Sequence, residues 1–183
     1  MDKLTLNDID DQFRKSVFTQ DYSPRPQISG VQFMDIKNFI GEDGDFSELL
    51  RVDETGRLEI YQDFQIRQIN RSLVLANSIK AWHLHYNQED IWYIPPHEHL
   101  LVGLVDLRKN SPTTGIKMRF VMGGGKSQLV LIPRGVAHGA ANLSGKSATI
   151  IYFMNQQFNL STPDELRLPW DYFGAEFWEM TKG

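Results

Sequence analysis

The sequence predicts an all-β protein whose antiparallel strands close into a barrel or sandwich, and three observations predict it. Nine short β-rich runs follow one another between residues 30 and 155. Turn signals such as "NSPTTG" (110–115) and "NLSGKS" (142–147) separate them. No gap holds the dozen residues of helical pattern that a parallel crossover requires.

The elements follow in chain order. Residues 1–20 carry apolar residues at loosely helical spacing, and "DYSPRPQISG" then supplies two prolines and a glycine that break any helix. Residues 1–25 are therefore expected to form an arm, and residues 26–183 the barrel. The runs are "GVQFMDI", "GDFSELLRV", "LEIYQDFQIRQINRSLVL", "SIKAWHLHY", "IWYIP", "HLLVGLVDLR", "IKMRFVM", "QLVLIP" and "SATIIYFMN". The intervening "GGGKS" (123–127) opens no helical pattern, so it reads as a hairpin turn rather than a phosphate loop.

Composition narrows the chemistry. A chain of 183 residues with 41% apolar content suffices for one domain with a real core. A net charge of -4 without a basic run gives nucleic acid or an anionic membrane no obvious footing. No apolar run reaches the roughly 20 residues of a membrane span, and the start has no signal-peptide pattern, so a cytoplasmic location is expected. The absence of cysteine removes disulfides and thiolate chemistry, leaving histidine, carboxylates and tyrosine.

Four of the five histidines, His83, His85, His97 and His99, fall within seventeen residues, and the fifth is His138. On a strand, His83 and His85 share one face while Trp82, Leu84 and Tyr86 take the other. Two imidazoles facing one space suit either a ligand cavity or an exposed, solvated strand face. His97 and His99 flank Glu98 after a Pro-Pro turn and read as surface residues. His138 follows a Pro-x-Gly turn at a strand start, where the backbone can aim a side chain inward.

His-x-His followed by Glu89, with Pro133-x-Gly135-x-x-His138-x-x-x-Asn142 later, resembles the two signature motifs of the cupin superfamily, small antiparallel jelly-roll barrels. In metal-dependent cupins the matching positions, His83, His85, Glu89 and His138, would be ligands. A narrower branch covers more of the chain. "GDFSEL", "RQINRSL", "LHYNQ", "VDLRKNSPTTG", "LIPRGVAHG" and "IYFMNQQFNLSTPDE" resemble, in order, segments of the dTDP-4-dehydrorhamnose 3,5-epimerases.

That resemblance implies a cofactor-free and metal-free epimerase or isomerase of a nucleotide-linked 4-keto-6-deoxy sugar, working in polysaccharide biosynthesis. It implies His85 as base, Tyr152 as acid on the opposite sugar face and His138 as a second active-site histidine. Phe46, Glu48, Gln68, Asn70, Ser72 and His83 would contact substrate. It further implies a homodimer whose N-terminal strands exchange. The chemistry is sound, because a C4 ketone acidifies the neighbouring hydrogens, an imidazole can remove one, and a phenol can return a proton.

The chain departs from the family at four positions: Trp82, Asp43 and Ile91 stand where it has cations, and His83 where it has glycine. The family's aspartate that orients the base, past the last barrel strand, has no recognised counterpart, and His83, Asp90 and His138 are the candidates to replace it. A metal-dependent cupin and a sugar-binding relative without catalysis are the alternatives.

Overall fold

The computed structural model of the chain describes residues 3–181, so Met1, Asp2, Lys182 and Gly183 of the expected arm and barrel lie outside the described residues. The strands are β1 (Gln32–Asp35), β2 (Asn38–Gly41), β3 (Gly44–Ser47), β4 (Gln68–Val74), β5 (Ile79–Leu84) and β6 (Asp90–Tyr93). They continue with β7 (His99–Asp106), β8 (Lys117–Gly123), β9 (Gln128–Ile132), β10 (Val136–Ala141), β11 (Ala148–Met154) and β12 (Leu166–Arg167). Two five-stranded antiparallel sheets, ordered β1-β9-β6-β11-β4 and β12-β5-β10-β7-β8, face each other, and β2-β3 is a separate hairpin. This is the jelly-roll architecture the sequence predicts.

Between the sheets lies the main core, including Trp92, Ile94, Leu100, Val102, Leu104, Val130 and Val136. One side is closed by an edge-to-face pair, Phe33 of β1 on Phe120 of β8, with ring centroids 4.9 Å apart. Each sheet is also covered outside. Leu58 and Phe64 pack over Ile91, Leu129 and Leu131, while Phe173, Phe177 and Trp178 pack over Trp82, Leu101 and Val105. Double coverage explains why β6, β7, β9 and β10 are buried almost throughout and lack polar-apolar alternation.

Two expectations need correction. Residues 58–67 form no strand, only isolated bridges, because their alternating apolar residues anchor a loop onto the first sheet. Gly123–Gly125 do not close a hairpin: β8 and β9 belong to different sheets. The three glycines, all at positive φ, turn the chain across the sandwich, with the N–H groups of Gly124 and Gly125 donating to the carbonyls of Glu98 and Pro96. Among its described residues, the N-terminal arm has a 3-10 turn at Leu6–Asp8 and one helical turn at Asp11–Arg14, and its apolar side chains Leu4, Phe13, Phe18 and Tyr22 are exposed.

The "VDLRKNSPTTG" segment is a structural knot. The buried Asp106 carboxylate accepts from Arg108 Nε and Nη2, Ser111 Oγ and Thr113 Oγ1, pinning the loop after β7. Burial acts to raise its pKa, but these hydrogen bonds more than offset that and hold it well below the usual carboxylate range.

Candidate active site

A cavity of about 950 Å³ opens between the sheets on the side away from Phe33 and Phe120. One wall is Gln68, Asn70 and Ser72 of β4, Asp90 and Trp92 of β6, and Tyr152 of β11. The facing wall is Lys80 and His83 of β5, His85 just beyond it, His138 of β10 and Arg167 of β12. Gln68, Asn70 and Ser72 of β4 face the cavity while Ile69, Arg71 and Leu73 are exposed, so this strand turns apolar side chains outward and polar ones inward.

The β5–β10 ladder explains the composition of the second wall. His138 pairs with His83, yet Ala140 pairs with Lys80, so β5 spends one residue more than β10 over this stretch. Such a bulge reverses the alternation, placing Lys80 on the cavity face with His83 and His85. Gly139 is required at this crossing, since a Cβ there would lie 2.4 Å from that of Ala81. Trp82, fully buried, points to the opposite side and donates its indole N–H to the carbonyl of Trp170.

His138 is the centre of an aromatic cluster, stacked on His83 at 5.9 Å, 5.2 Å from His85 and edge-to-face with Trp92 at 5.3 Å. Its Nδ1 lies 3.0 Å from the carbonyl of Val136, and Nδ1 of His85 meets the carbonyl of Asp164. A carbonyl only accepts, so in both rings the proton sits on Nδ1, and in the neutral ring Nε2 keeps its lone pair. Both Nε2 atoms converge on Asp90 Oδ2, at 3.8 Å from His85 and 3.6 Å from His138. Asp90 accepts its hydrogen bonds from Gln88 Nε2 (2.7 Å) and Trp92 Nε1 (3.3 Å).

Burial, reinforced by His138 and Arg167, pushes His83 down to about 3, although Glu165 at 3.4 Å opposes it. Burial likewise lowers His138, against the pull of Asp90. The Tyr152 phenol is raised by burial, opposed by the Asn70 amide, so it stays protonated beyond its ordinary range.

The profile of the dTDP-4-dehydrorhamnose 3,5-epimerases matches residues 25–175. The chain belongs to this family. It is therefore a sugar epimerase by descent, with a relative in the spore coat polysaccharide biosynthesis protein SpsL of Bacillus subtilis. The two are 39% identical over 144 residues, spanning 79% of this chain and 91% of SpsL. The probable low-salt glycan biosynthesis epimerase Agl13 of Haloferax volcanii is 26% identical over 148 residues, 80% of this chain and 90% of that protein.

Among solved structures, the dTDP sugar isomerase of Desulfovibrio desulfuricans superposes with a TM-score of 0.69 at 25% identity, covering 84% of this chain and 91% of that one. The dTDP-4-dehydrorhamnose 3,5-epimerase of Bacillus anthracis gives 0.69 at 20% identity, covering 84% and 87%, and shows the shared fold.

Of the site residues expected from sequence, His83, His85, His138, Tyr152, Gln68, Asn70 and Ser72 all line the cavity. Phe46 and Glu48 do not. Phe46 is 65% exposed on the β2–β3 hairpin, and Glu48 pairs with Arg51. The metal-ligand set of the alternative also changes. Glu89 does not line the cavity and accepts from Asn155, whereas the donor atoms within 4.8 Å of one another belong to His85, Asp90 and His138.

None of the three positions where the family has cations supplies one here: Trp82 and Ile91 are fully buried and Asp43 is on the exposed hairpin turn. Lys80 and Arg167 are the lysine and arginine that line the cavity, and Lys80 Nζ donates to Ser72 Oγ (2.7 Å) across the gap between the sheets. Sequence reasoning assigned no role to Lys80, Gln88, Asp164 or Arg167, and named Asp90 only as one of three candidates to support His85. Only the bulge, read from paired strands, could have revealed Lys80.

Proposed function

We propose that the protein inverts a carbon next to the C4 ketone of a nucleotide-linked 4-keto-6-deoxy sugar, supplying a deoxysugar for polysaccharide synthesis. The observation that carries this reading is the placement of His85 and Tyr152 on facing walls of one cavity. His85 Nε2, with its lone pair, removes the acidified hydrogen. Asp90 offsets the imidazolium charge that results. Electron density moves onto the ketone oxygen as an enolate. Tyr152 then delivers its proton to the opposite face of that carbon, which inverts it.

The amides of Gln68 and Asn70 and the hydroxyl of Ser72 suit a sugar's hydroxyl and carbonyl groups, and His83, held neutral, offers a further polar contact. The diphosphate is assigned to Lys80 and Arg167, which both line the cavity, in place of the family's cations. A homodimer in the cytoplasm is part of the proposal. Its support is the apolar surface left on the hairpin by Phe39, Ile40 and Phe46 and on β4 by Ile69 and Leu73. Phe46 and Glu48 would then serve a partner's cavity.

The test is incubation with dTDP-, UDP-, GDP- and CDP-linked 4-keto-6-deoxy sugars, following the ring-proton couplings by NMR. Inversion at C3, or at C3 and C5, of at least one is expected. Failure of every one of them to bind would contradict the reading.

A further inference from the structure

Asp164 lies 76 to 79 residues after the run it holds, yet one residue makes four hydrogen bonds to that run. Its carboxylate accepts the backbone N–H groups of Tyr86 (2.8 Å), Asn87 (2.8 Å) and Gln88 (2.9 Å). Its own carbonyl accepts Nδ1 of His85. Burial acts to raise the Asp164 pKa, but the three N–H bonds more than offset this and keep the group ionised.

The two halves of the residue do different things. The carboxylate gathers three consecutive N–H groups that no strand partner satisfies, which fixes the turn carrying Gln88 toward Asp90. The carbonyl, carried on the same backbone, is thereby held against His85.

We propose that Asp164 is the positioning residue of the base: it anchors the turn at 86–88 through its side chain and selects the Nδ1-protonated tautomer of His85 through its backbone. This rests on the reading of His85 as base and divides between two residues what the family assigns to one aspartate. A neutral carbonyl orients the ring, and a separate carboxylate, Asp90, meets the charge.

Asp164→Asn is the sharp variant. It keeps the size and the backbone carbonyl, but its amide NH₂ opposes an N–H where a carboxylate oxygen accepted one. The turn then relaxes and the carbonyl loses its hold on Nδ1. Nitrogen-15 spectra of neutral wild-type protein should give His85 as one tautomer, protonated at Nδ1, and Asp164→Asn should give a mixture. The kcat for epimerisation should fall roughly 10- to 100-fold, the scale expected for a misplaced reacting group, with KM nearly unchanged.

Asp164→Glu should recover part of the kcat, because a carboxylate is again present. Unchanged His85 nitrogen shifts in Asp164→Asn would overturn the proposal, whether or not kcat falls. The nitrogen spectra need no substrate, so they decide the role of Asp164 even if no sugar is turned over.

Discussion

His83 carries a stability consequence that its neighbours make specific. In the unfolded chain its imidazole titrates near 6.5, whereas in the folded protein burial and the adjacent His138 push it down to about 3. The unfolded state therefore takes up a proton below about pH 6.5 that the native state refuses until about pH 3. Stability is fully present above that window and falls within it, approaching about 1.4 kcal/mol per pH unit for one group. His138, also lowered, adds to the slope. Thermal melts between pH 7.5 and 5.5, above the range where most carboxylates titrate, should show the melting temperature dropping on acidification and a shallower drop in His83→Asn. Equal slopes in the two proteins would contradict the assignment.

At the scale of elements, the pairing of β5 with β10 sets the site. Gly139 lets the bulged strand approach: a Cβ there would lie 2.4 Å from the Ala81 Cβ, 2.8 Å from its Cα and 2.9 Å from the Lys80 carbonyl oxygen, so backbone must move. Gly139→Ala should cost about 1–3 kcal/mol, as overpacking does, and lower the melting temperature by roughly 3–10 °C. Because His138 and His83 are paired immediately beside it, activity should fall with the stability. A variant with wild-type melting temperature and activity would show that the ladder tolerates a side chain there.

The same ladder marks where sequence reading succeeded and where it stopped. His83 and His85 were legible because alternation on a strand is local. Of strand β10, "VAHGAA", only the start at the Pro-x-Gly turn before His138 is legible, since a strand buried on both faces and built mainly from alanine and glycine offers no alternation and a single β-branched residue. The placement of Lys80 depends on a bulge, and the contacts of Asp90 and Asp164 join segments distant in the chain. Local pattern contains none of these. The expectation for the hairpin residues Phe46 and Glu48 rests on resemblance alone, and within one chain neither lines the cavity.

For the whole molecule, the exposed apolar arm, hairpin and β4 edge predict association. Light scattering at micromolar concentration should return the mass of a dimer, twice 21.1 kDa. Replacing Phe39 and Phe46 with serine should shift the population toward monomer, and a wild-type monomer would contradict the expectation. If Phe46 and Glu48 act on a partner's cavity, the monomerised variant should also bind nucleotide sugar less tightly.

The central claim is that His85 removes a ketone-acidified proton and Tyr152 returns one to the other face. Deuterium wash-in tests it most directly, because exchange needs only the base whereas inversion needs both groups. In deuterium oxide, with a 4-keto-6-deoxy nucleotide sugar that the wild type binds, deuterium should enter at C3, and at C5 if both carbons react. His85→Asn should reduce that exchange by at least about 10²-fold. Tyr152→Phe, which keeps the ring and removes the donor, should still exchange while inversion is lost. Exchange at the wild-type rate in His85→Asn, or full inversion in Tyr152→Phe, would contradict the account.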